Sequence, residues 1–243
     1  MGRIIKMDFY RLRTSKSFWV SLLITFVFEA LLNLVPMFFS KDYSSQLVEI
    51  IGSPIEVLIV VALYISVSIF CYADLSNGYI KNIAGQIPNK GYTAVSKFVV
   101  IIFHNIAFFI AGFAGRLAGS LPTLELDGNY LYATTYLLMR FLLVLAMCTM
   151  ILFATTALRS KTFGTVLGVM FGVGGFSLIY TLLDQLIQNV FKGFKLEDYS
   201  PSSINPSNIH SSADGFRVLA VGIVFTVLFL FLSVKVVNKR DVK

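Results

Sequence analysis

The sequence predicts an all-α membrane protein: a helical bundle of six transmembrane helices with a short interfacial helix at its N-terminus. Hydrophobic residues make up 56% of the 243 residues and charged residues only 14%, whereas a soluble domain carries about 25% charged residues. The mean hydropathy is +0.78. Six apolar runs reach about 20 residues each, which is the length that a helix needs to cross a bilayer.

These runs define the order of the elements along a single membrane domain, residues 1–243. Two connections exceed the usual link between helices: a polar segment at 74–97 and an outer loop at 188–215. Apolar residues keep a helical spacing through 182–194, so we expect short outer or re-entrant helices followed by a turn-rich link. We place the six spans at 17–39, 54–73, 98–121, 136–158, 163–187 and 216–237.

The basic residues set the orientation of the bundle. Most of the 20 Lys and Arg residues fall on the side that holds both chain ends, and the acidic residues collect on the other side. The positive-inside rule therefore places both termini in the cytoplasm. We also expect no cleaved signal peptide, because the first apolar run is long enough to span. The net charge of +7 reflects this topology rather than a nucleic-acid surface.

Residues 1–16 are predicted to form a helix that lies in the inner membrane interface. Ile4, Ile5, Phe9 and Leu12 fall near one helical face, and basic residues around the rest of the helix would meet lipid phosphates. A charge cluster that only sets the topology needs no helix, and the sequence leaves this alternative open.

No motif of the common hydrolases occurs in the chain. It has no His-Glu-x-x-His zinc site, no Gly-x-Ser-x-Gly nucleophile turn and no phosphate-binding loop. The two cysteines, Cys71 and Cys148, lack metal-ligand spacing. We therefore predict no catalytic residue and no metal or cofactor bound by this chain.

Polar side chains within the spans are costly unless they are paired or hydrated, so each is a candidate for function. Glu29 and Asn33 lie one turn apart on one face of the first span. They either line a wall that meets the substrate or a partner subunit, or form a buried packing site in which Glu29 pairs with Arg140. Arg116 is expected to extend to the membrane surface. The candidates for a translocation path or a buried polar cluster are Glu29, Asn33, His104, Asn105 and Arg140.

Small residues recur every four positions in two spans, which predicts close helix contacts. The pattern does not show whether these contacts lie within one subunit or between two. The residues are Gly164, Gly168 and Gly172 in the fifth span, and Ala107, Ala111, Gly115 and Gly119 in the third.

Two polar stretches carry a family resemblance. The N-terminal stretch brings basic residues and Phe18-Trp19 to the start of the first span. Segment 74–97 has an acidic residue at the end of a span, then glycine, proline and several lysines before the next span. Lysines there offer charge to a partner surface, and a plain solvated connector is the alternative. The residues that we single out are Asp74, Gly78, Lys81, Asn82, Pro88, Lys90, Tyr92 and Lys97.

In these features the chain resembles the six-span permease subunits of ABC-type exporters. It is most similar to small permeases for bacterial peptide toxins, lantibiotics and bacteriocins, although its stretch 89–92 is poorer in arginine. The resemblance implies that segment 74–97 contains a coupling helix that contacts a separate ABC nucleotide-binding subunit, which holds the ATP and Mg. It also implies a second permease copy, as a homodimer or a heterodimer, in the bacterial cytoplasmic membrane. The cargo would be an amphipathic peptide.

A secondary transporter or channel is the alternative from another class. Its proton path would run through Glu29 and His104, and it would need no ATPase. The scarcity of intramembrane acids argues against it.

Overall fold

The computed structural model describes residues 1–39, 45–53, 60–76, 90–126, 128–187, 195–202, 204 and 212–239. This part of the chain is mostly helical, as predicted. Its helices are α1 (Gly2–Thr14), α2 (Lys16–Phe39), α3 (Leu47–Gly52), α4 (Val60–Ser76), α5 (Tyr92–Ser120), α6 (Tyr130–Leu158), α7 (Lys161–Gly172), α8 (Gly175–Ile187) and α9 (Ser212–Lys239).

Two short strands and two 3₁₀ helices lie at one end of the bundle. Strands β1 (Ser45–Gln46) and β2 (Leu124–Glu125) pair in parallel. Two 3₁₀ helices lie at Leu121–Thr123 and Leu196–Tyr199.

Four segments are long and apolar enough to cross a membrane: Lys16–Pro36, Tyr92–Thr123, Tyr130–Leu158 and Asp214–Lys239. Helices α7 and α8 pass the same test together, which gives up to five candidate spans in the described residues. The apolar part of α4, Val60–Ala73, is shorter. These observations confirm a multi-pass, all-α membrane bundle.

The predicted fifth span, 163–187, is not one straight helix. Its two halves, α7 and α8, are bent by 72°. Gly174 between them has a φ of +73°, a left-handed conformation that glycine adopts at little cost. The sequence showed the apolar run but not this bend.

Three helix pairs form the framework of the bundle: α6 with α9, α2 with α5, and α4 with α7. Helix α2 runs parallel to α5, because Phe26 lies against Gly115 and Ala30 against Gly119. Helix α7 runs antiparallel to α4. The largest fully buried apolar side chains lie on α4, α5, α6 and α9, namely Leu63, Val67, Val100, Ile101, Phe108, Ile151, Leu152 and Val218.

The two ends of the bundle differ in charge and in the elements that meet there. At one end α1 packs on α5, and the backbone NH of Gly91 donates to Asn238 Oδ1 of α9 at 2.6 Å. We call this end, where α1, the end of α4, the start of α5 and the end of α9 meet, the basic end. The opposite end, with β1, β2, α3 and the 3₁₀ helix Leu196–Tyr199, is called the acidic end. Both helices nearest the chain termini, α1 and the last turn of α9, therefore lie at the basic end.

Candidate functional site

Helix α1 rests on the bundle through one face. Ile4, Asp8 and Leu12 are buried, whereas Arg3 and Lys6 are exposed. The spacing of four residues puts an aspartate in the middle of an apolar stripe. Sequence reasoning missed Asp8, although its position between Ile4 and Leu12 was a readable signal.

Asp8 ties α1 to the start of α5. Its side chain is almost fully buried, and the Ser96 hydroxyl donates to Asp8 Oδ2 at 2.5 Å. Arg11 lies 3.7 Å from the other carboxylate oxygen. Burial raises the pKa of the Asp8 carboxyl above its ordinary value of 3.8, while the hydrogen bond from Ser96 and the positive charges of Lys97 and Arg11 oppose that rise.

Lys97, which the sequence analysis assigned to contact an ATPase subunit, lies inside the bundle instead. Only 2% of the residue is exposed, and its Nζ donates to the backbone carbonyl of Cys71 in α4 at 2.6 Å. The ammonium group is directed inwards because the last turns of α4 run beside the start of α5. Lys97 is therefore an internal link between two helices rather than part of a docking surface.

Other predicted coupling residues lie at the two ends of segment 77–89, in the last turns of α4 and at the start of α5. Tyr92 is exposed and Lys90 is half-buried in the turn before α5. Asp74 lies in the last turns of α4, but its side chain is not among the parts of the chain that the structure describes. Gly78, Lys81, Asn82 and Pro88 also lie outside the described residues.

A second polar cluster lies in the half of the bundle nearer the acidic end. Glu29 on α2 is fully buried, and its Oε2 lies 3.6 Å from Nε of Arg116 on α5. The side-chain amide of Asn33 donates to the backbone carbonyl of Glu29 at 2.9 Å. Glu29 and Asn33 thus share one buried face, as their spacing predicts.

Arg116, not Arg140, is the ion-pair partner of Glu29. Gly115 and Gly119 let the backbones of α2 and α5 approach closely, which brings the intervening arginine to the carboxylate. The Arg116 side chain is 14% exposed, so it does not extend to the surface as expected.

Ser53, at the end of α3, joins both arginines. The Arg116 guanidinium donates to its backbone carbonyl, and the Arg140 guanidinium donates to its hydroxyl. The cluster therefore runs from Glu29 through Arg116 and Ser53 to Arg140, and connects α2, α5, α3 and α6.

His104 and Asn105 occupy the apolar interior of α5. The His104 ring packs against Phe18 and Phe108 at centroid distances of 4.9 and 5.2 Å. Within the described part of the chain, neither of its ring nitrogens has a hydrogen-bond partner. Asn105 donates to the carbonyl of Ile101 at 2.9 Å. The Cys148 thiol of α6 donates to Asn105 Oδ1 at 3.8 Å.

The two rows of small residues make contacts within one subunit. A Cβ on Gly119 would lie 2.2 Å from the backbone oxygen of Ala30, and one on Gly115 would lie 2.4 Å from that of Phe26. Ala111 is half-buried in the same helix.

The α7 row meets α4 and the end of α6. Built Cβ atoms on Gly164, Gly168 and Gly172 would lie 2.1 Å from Thr155, 2.9 Å from Tyr64 and 2.3 Å from Val61, respectively. Both rows therefore allow closer helix approach than any larger residue would permit.

A cavity of about 390 Å³ opens beside Arg140. Its lining includes the side chains of Tyr64, Met147 and Phe171, and Arg140 and Glu197 are among its charged lining residues. No cluster of three metal-ligating side chains occurs in the described ranges.

Comparison with known proteins places the chain in a family. A model described as "ABC-2 family transporter protein" matches residues 4–175, a range that holds most of α1, all of α2 to α7, and both polar clusters. A search of the curated proteins finds no significant match. The family match covers well over half of the 243 residues. The chain therefore belongs to the ABC-2 family of transporter proteins, and it is accordingly the membrane permease of an ABC transporter that works with an ABC ATPase subunit.

Proposed function

We propose that this chain is the six-span permease of an ABC exporter that moves amphipathic peptides out of a bacterial cell, with both termini in the cytoplasm. One observation carries the proposal beyond family membership. Helix α1, the last turn of α9 and both sides of segment 77–89 meet at a single, basic end of the bundle. A partner that binds at this end would be close to α1, the end of α4, the start of α5 and the end of α9.

Six spans account best for this arrangement. The four long segments, the bent pair α7 and α8, and the span that the sequence predicts at 54–73 give an even number of crossings. An even number returns the chain to the side where it began. The contact between Gly91 and Asn238 and the contact between Asp8 and Ser96 agree with that requirement.

The basic end is the side that we assign to the cytoplasm and to the ATPase subunit. Basic residues of short loops remain on the cytoplasmic side, and α1 presents Arg3, Lys6 and Arg13 at its exposed face. Segment 77–89, with Lys81, and the following Lys90 then form the docking surface. ATP and Mg bind to the partner subunit, and hydrolysis there moves the docked segment.

Charge at the acidic end supports a cationic amphipathic peptide as the cargo. The carboxylates of this end would attract positive charge, and the apolar interior would accept the apolar face of such a peptide. Export of a toxin and protection against one require the same movement. The acidic residues described in this region are Glu49, Glu125, Asp184, Glu197, Asp198 and Asp214.

The working unit that we propose contains two permeases, either two copies of this chain or this chain and a sister permease. Each binds one ATPase subunit. Helices α2 and α9 carry broad exposed apolar faces that include Trp19, Leu23, Phe216 and Val227. Faces of this kind are available for lipid and for a second permease.

No observation favours the proton-path alternative. His104 and Arg116, the partner of Glu29, are twelve residues apart on α5, a rise of about 18 Å. The His104 ring packs against Phe18, Phe70 and Phe108. A relay would need polar groups along that whole distance.

Affinity purification in mild detergent tests the proposed function. We expect tagged protein to bring down an ABC ATPase subunit in equal amount, and a cationic amphipathic peptide to stimulate ATP hydrolysis by the complex. A lone protein that ignores ATP and conducts protons in liposomes would contradict the proposal.

Charge reversal at the docking surface sharpens this test. Lys81→Glu combined with Lys90→Glu should reduce copurification of the ATPase subunit, because both lysines lie on the proposed docking surface. Lys195→Glu is the matched control, since Lys195 is exposed near the acidic end. If the double variant binds the ATPase subunit as well as the control does, the docking surface is assigned wrongly.

A further inference from the structure

We propose that Asp8 and Lys97 are positioning residues that lock α1, the end of α4 and the start of α5 into one rigid block at the root of segment 77–89. The block would transmit movement of that segment to the membrane helices as a unit. This inference rests on the proposed function, in which an ATPase subunit contacts segment 77–89.

Neighbouring residues of α5 hold two different helices. Ser96 donates to Asp8 of α1 at 2.5 Å, and Lys97 donates to the Cys71 carbonyl of α4 at 2.6 Å. Successive residues of an α-helix point about 100° apart. The start of α5 is therefore held from two sides within a single turn.

The charged side chains of both links are buried, which favours a single arrangement of the helices that they join. Asp8 is 1% exposed and Lys97 is 2% exposed, in a chain where only 14% of the residues are charged. A buried charge is costly, and one retained use of such groups is to fix a unique arrangement of elements. Here each charged group has its hydrogen-bond partner on a different helix, so each defines a contact between helices.

Lys97 also joins two of the three helix pairs of the framework. Helix α1 is separated from α2 only by Ser15, and α2 packs along α5 through Gly115 and Gly119. Helix α4 packs along α7 through Gly168. The link between Lys97 and α4 therefore connects the α2 and α5 pair to the α4 and α7 pair at the end where the ATPase subunit would act.

Cross-linking tests whether the block stays rigid during ATP hydrolysis. Asp8→Cys and Ser96→Cys are combined in a chain that carries Cys71→Ala and Cys148→Ala, which leaves the backbone carbonyl of residue 71 in place. The purified complex with its ATPase subunit is treated with a short bis-methanethiosulfonate. The single-cysteine variants, which cannot form the link, are the controls.

We expect the unlinked double-cysteine complex to lose at least fivefold of the stimulation that the permease gives to ATP hydrolysis, as Asp8→Ala does. The link should restore it to within about twofold of wild type, since the link replaces the bond between α1 and α5. The yield of the link should also be the same without nucleotide and after vanadate trapping. A tenfold loss of ATPase activity on linking, or a yield that changes with nucleotide, would overturn the rigid block.

A second set of variants tests transmission separately from folding. Asp8→Ala should still bring down the ATPase subunit but lose at least fivefold of the stimulation that the permease gives to ATP hydrolysis. Asp8→Asn, which keeps an acceptor oxygen for Ser96, should restore stimulation. Thr14→Ala, an uncharged exposed position of the same helix whose hydroxyl bonds to that helix, should leave it unchanged.

The two proposals fail in different ways. Absence of an ATPase subunit from the wild-type purification refutes the proposed function. If the wild-type complex forms but Asp8→Ala leaves the stimulation of ATP hydrolysis unaltered, only the rigid block is refuted. The same holds if Asp8→Ala lowers stimulation and Asp8→Asn fails to restore it.

Discussion

The two buried polar clusters satisfy their charges differently. Near the acidic end, Glu29 and Arg116 form a direct ion pair between α2 and α5, at 3.6 Å. At the basic end, Asp8 pairs with Arg11 of its own helix at 3.7 Å, and the contacts between helices are made by neutral groups, the Ser96 hydroxyl with Asp8 and the Cys71 carbonyl with Lys97. The first cluster joins α2 and α5, which glycines already bring together, and extends through Ser53 to α3 and α6 near the acidic end. The second joins α1, α4 and α5 beside segment 77–89. We infer that the first cluster mainly stabilises the bundle. The second mainly holds α1, α4 and α5 in a fixed arrangement, so that they move together.

The largest effect on stability should follow from Arg116→Ala. This change leaves the Glu29 carboxylate buried without its ion-pair partner, and breaking a buried pair costs about 3 to 5 kcal/mol. The free energy of unfolding in detergent measures the loss. Arg217→Ala is the control, because its pairs with Asp198 and Asp214 are at least one-third exposed and exposed pairs contribute about 1 kcal/mol or less.

Removing both charges refines this prediction. Glu29→Leu combined with Arg116→Met should recover much of the lost stability, because a buried pair is often replaceable by apolar side chains. Equal losses for Arg116→Ala and Arg217→Ala would show that the Glu29 pair does not hold α2 to α5.

Gly119→Ala should have the next largest effect. The new Cβ would lie 2.2 Å from the Ala30 oxygen, and a backbone atom cannot turn aside, so α2 and α5 must separate. Overpacking of this kind costs about 1 to 3 kcal/mol. Gly175→Ala is the control, since its nearest contact would be 3.4 Å away. Thermal unfolding of both variants in the same detergent is the measurement, and indistinguishable midpoints would contradict the close contact.

Ser96→Ala should cost somewhat less. It removes the donor to the buried Asp8 carboxylate, and a buried group that loses its partner costs about 1 to 3 kcal/mol. Thr14→Ala, an exposed site whose hydroxyl bonds to its own helix, should change stability by no more than about 0.5 kcal/mol. A Ser96→Ala protein as stable as Thr14→Ala would remove the basis for the link between α1 and α5.

The smallest expected effect is a dependence of stability on pH that arises from Asp8. Because burial raises the pKa of this carboxyl above 3.8 in the folded protein, the folded state retains a proton that the unfolded state releases. Stability should therefore fall as pH rises from 3.8 through the folded pKa, and this contribution should be constant above it.

Comparison of wild type with Asp8→Asn isolates that contribution. The change of the thermal midpoint with pH should differ most between the two proteins just above pH 3.8. Ser96→Ala should extend the slope to higher pH, since the Ser96 hydrogen bond lowers the pKa. Identical slopes for wild type and Asp8→Asn would exclude a raised pKa at Asp8.

The sequence predicts features that depend on local periodicity. Apolar length marks the bundle, and the spacing of Glu29 and Asn33 places them on one face. It does not predict features that depend on how distant helices align. Glu29 meets Arg116 rather than Arg140 because α2 and α5 run parallel in a register set by glycine contacts.

The same limit explains the errors at the basic end. A lysine at the start of a span reads as a surface charge, but Lys97 turns inwards because α4 places a carbonyl beside it. Asp8 stood in an apolar stripe and could have been noticed, although its partner Ser96 is 88 residues away. The bend at Gly174 depends on one positive φ angle that apolar periodicity does not encode.

Site-specific photo-cross-linking tests most directly whether the basic end is where the ATPase subunit acts. A photoreactive residue is placed at Lys90 in one variant and at Tyr199, exposed near the acidic end, in another, and each complex is irradiated. We predict that the ATPase subunit is captured from position 90 and not from position 199. Capture from position 199, or equal capture from both, would contradict the account.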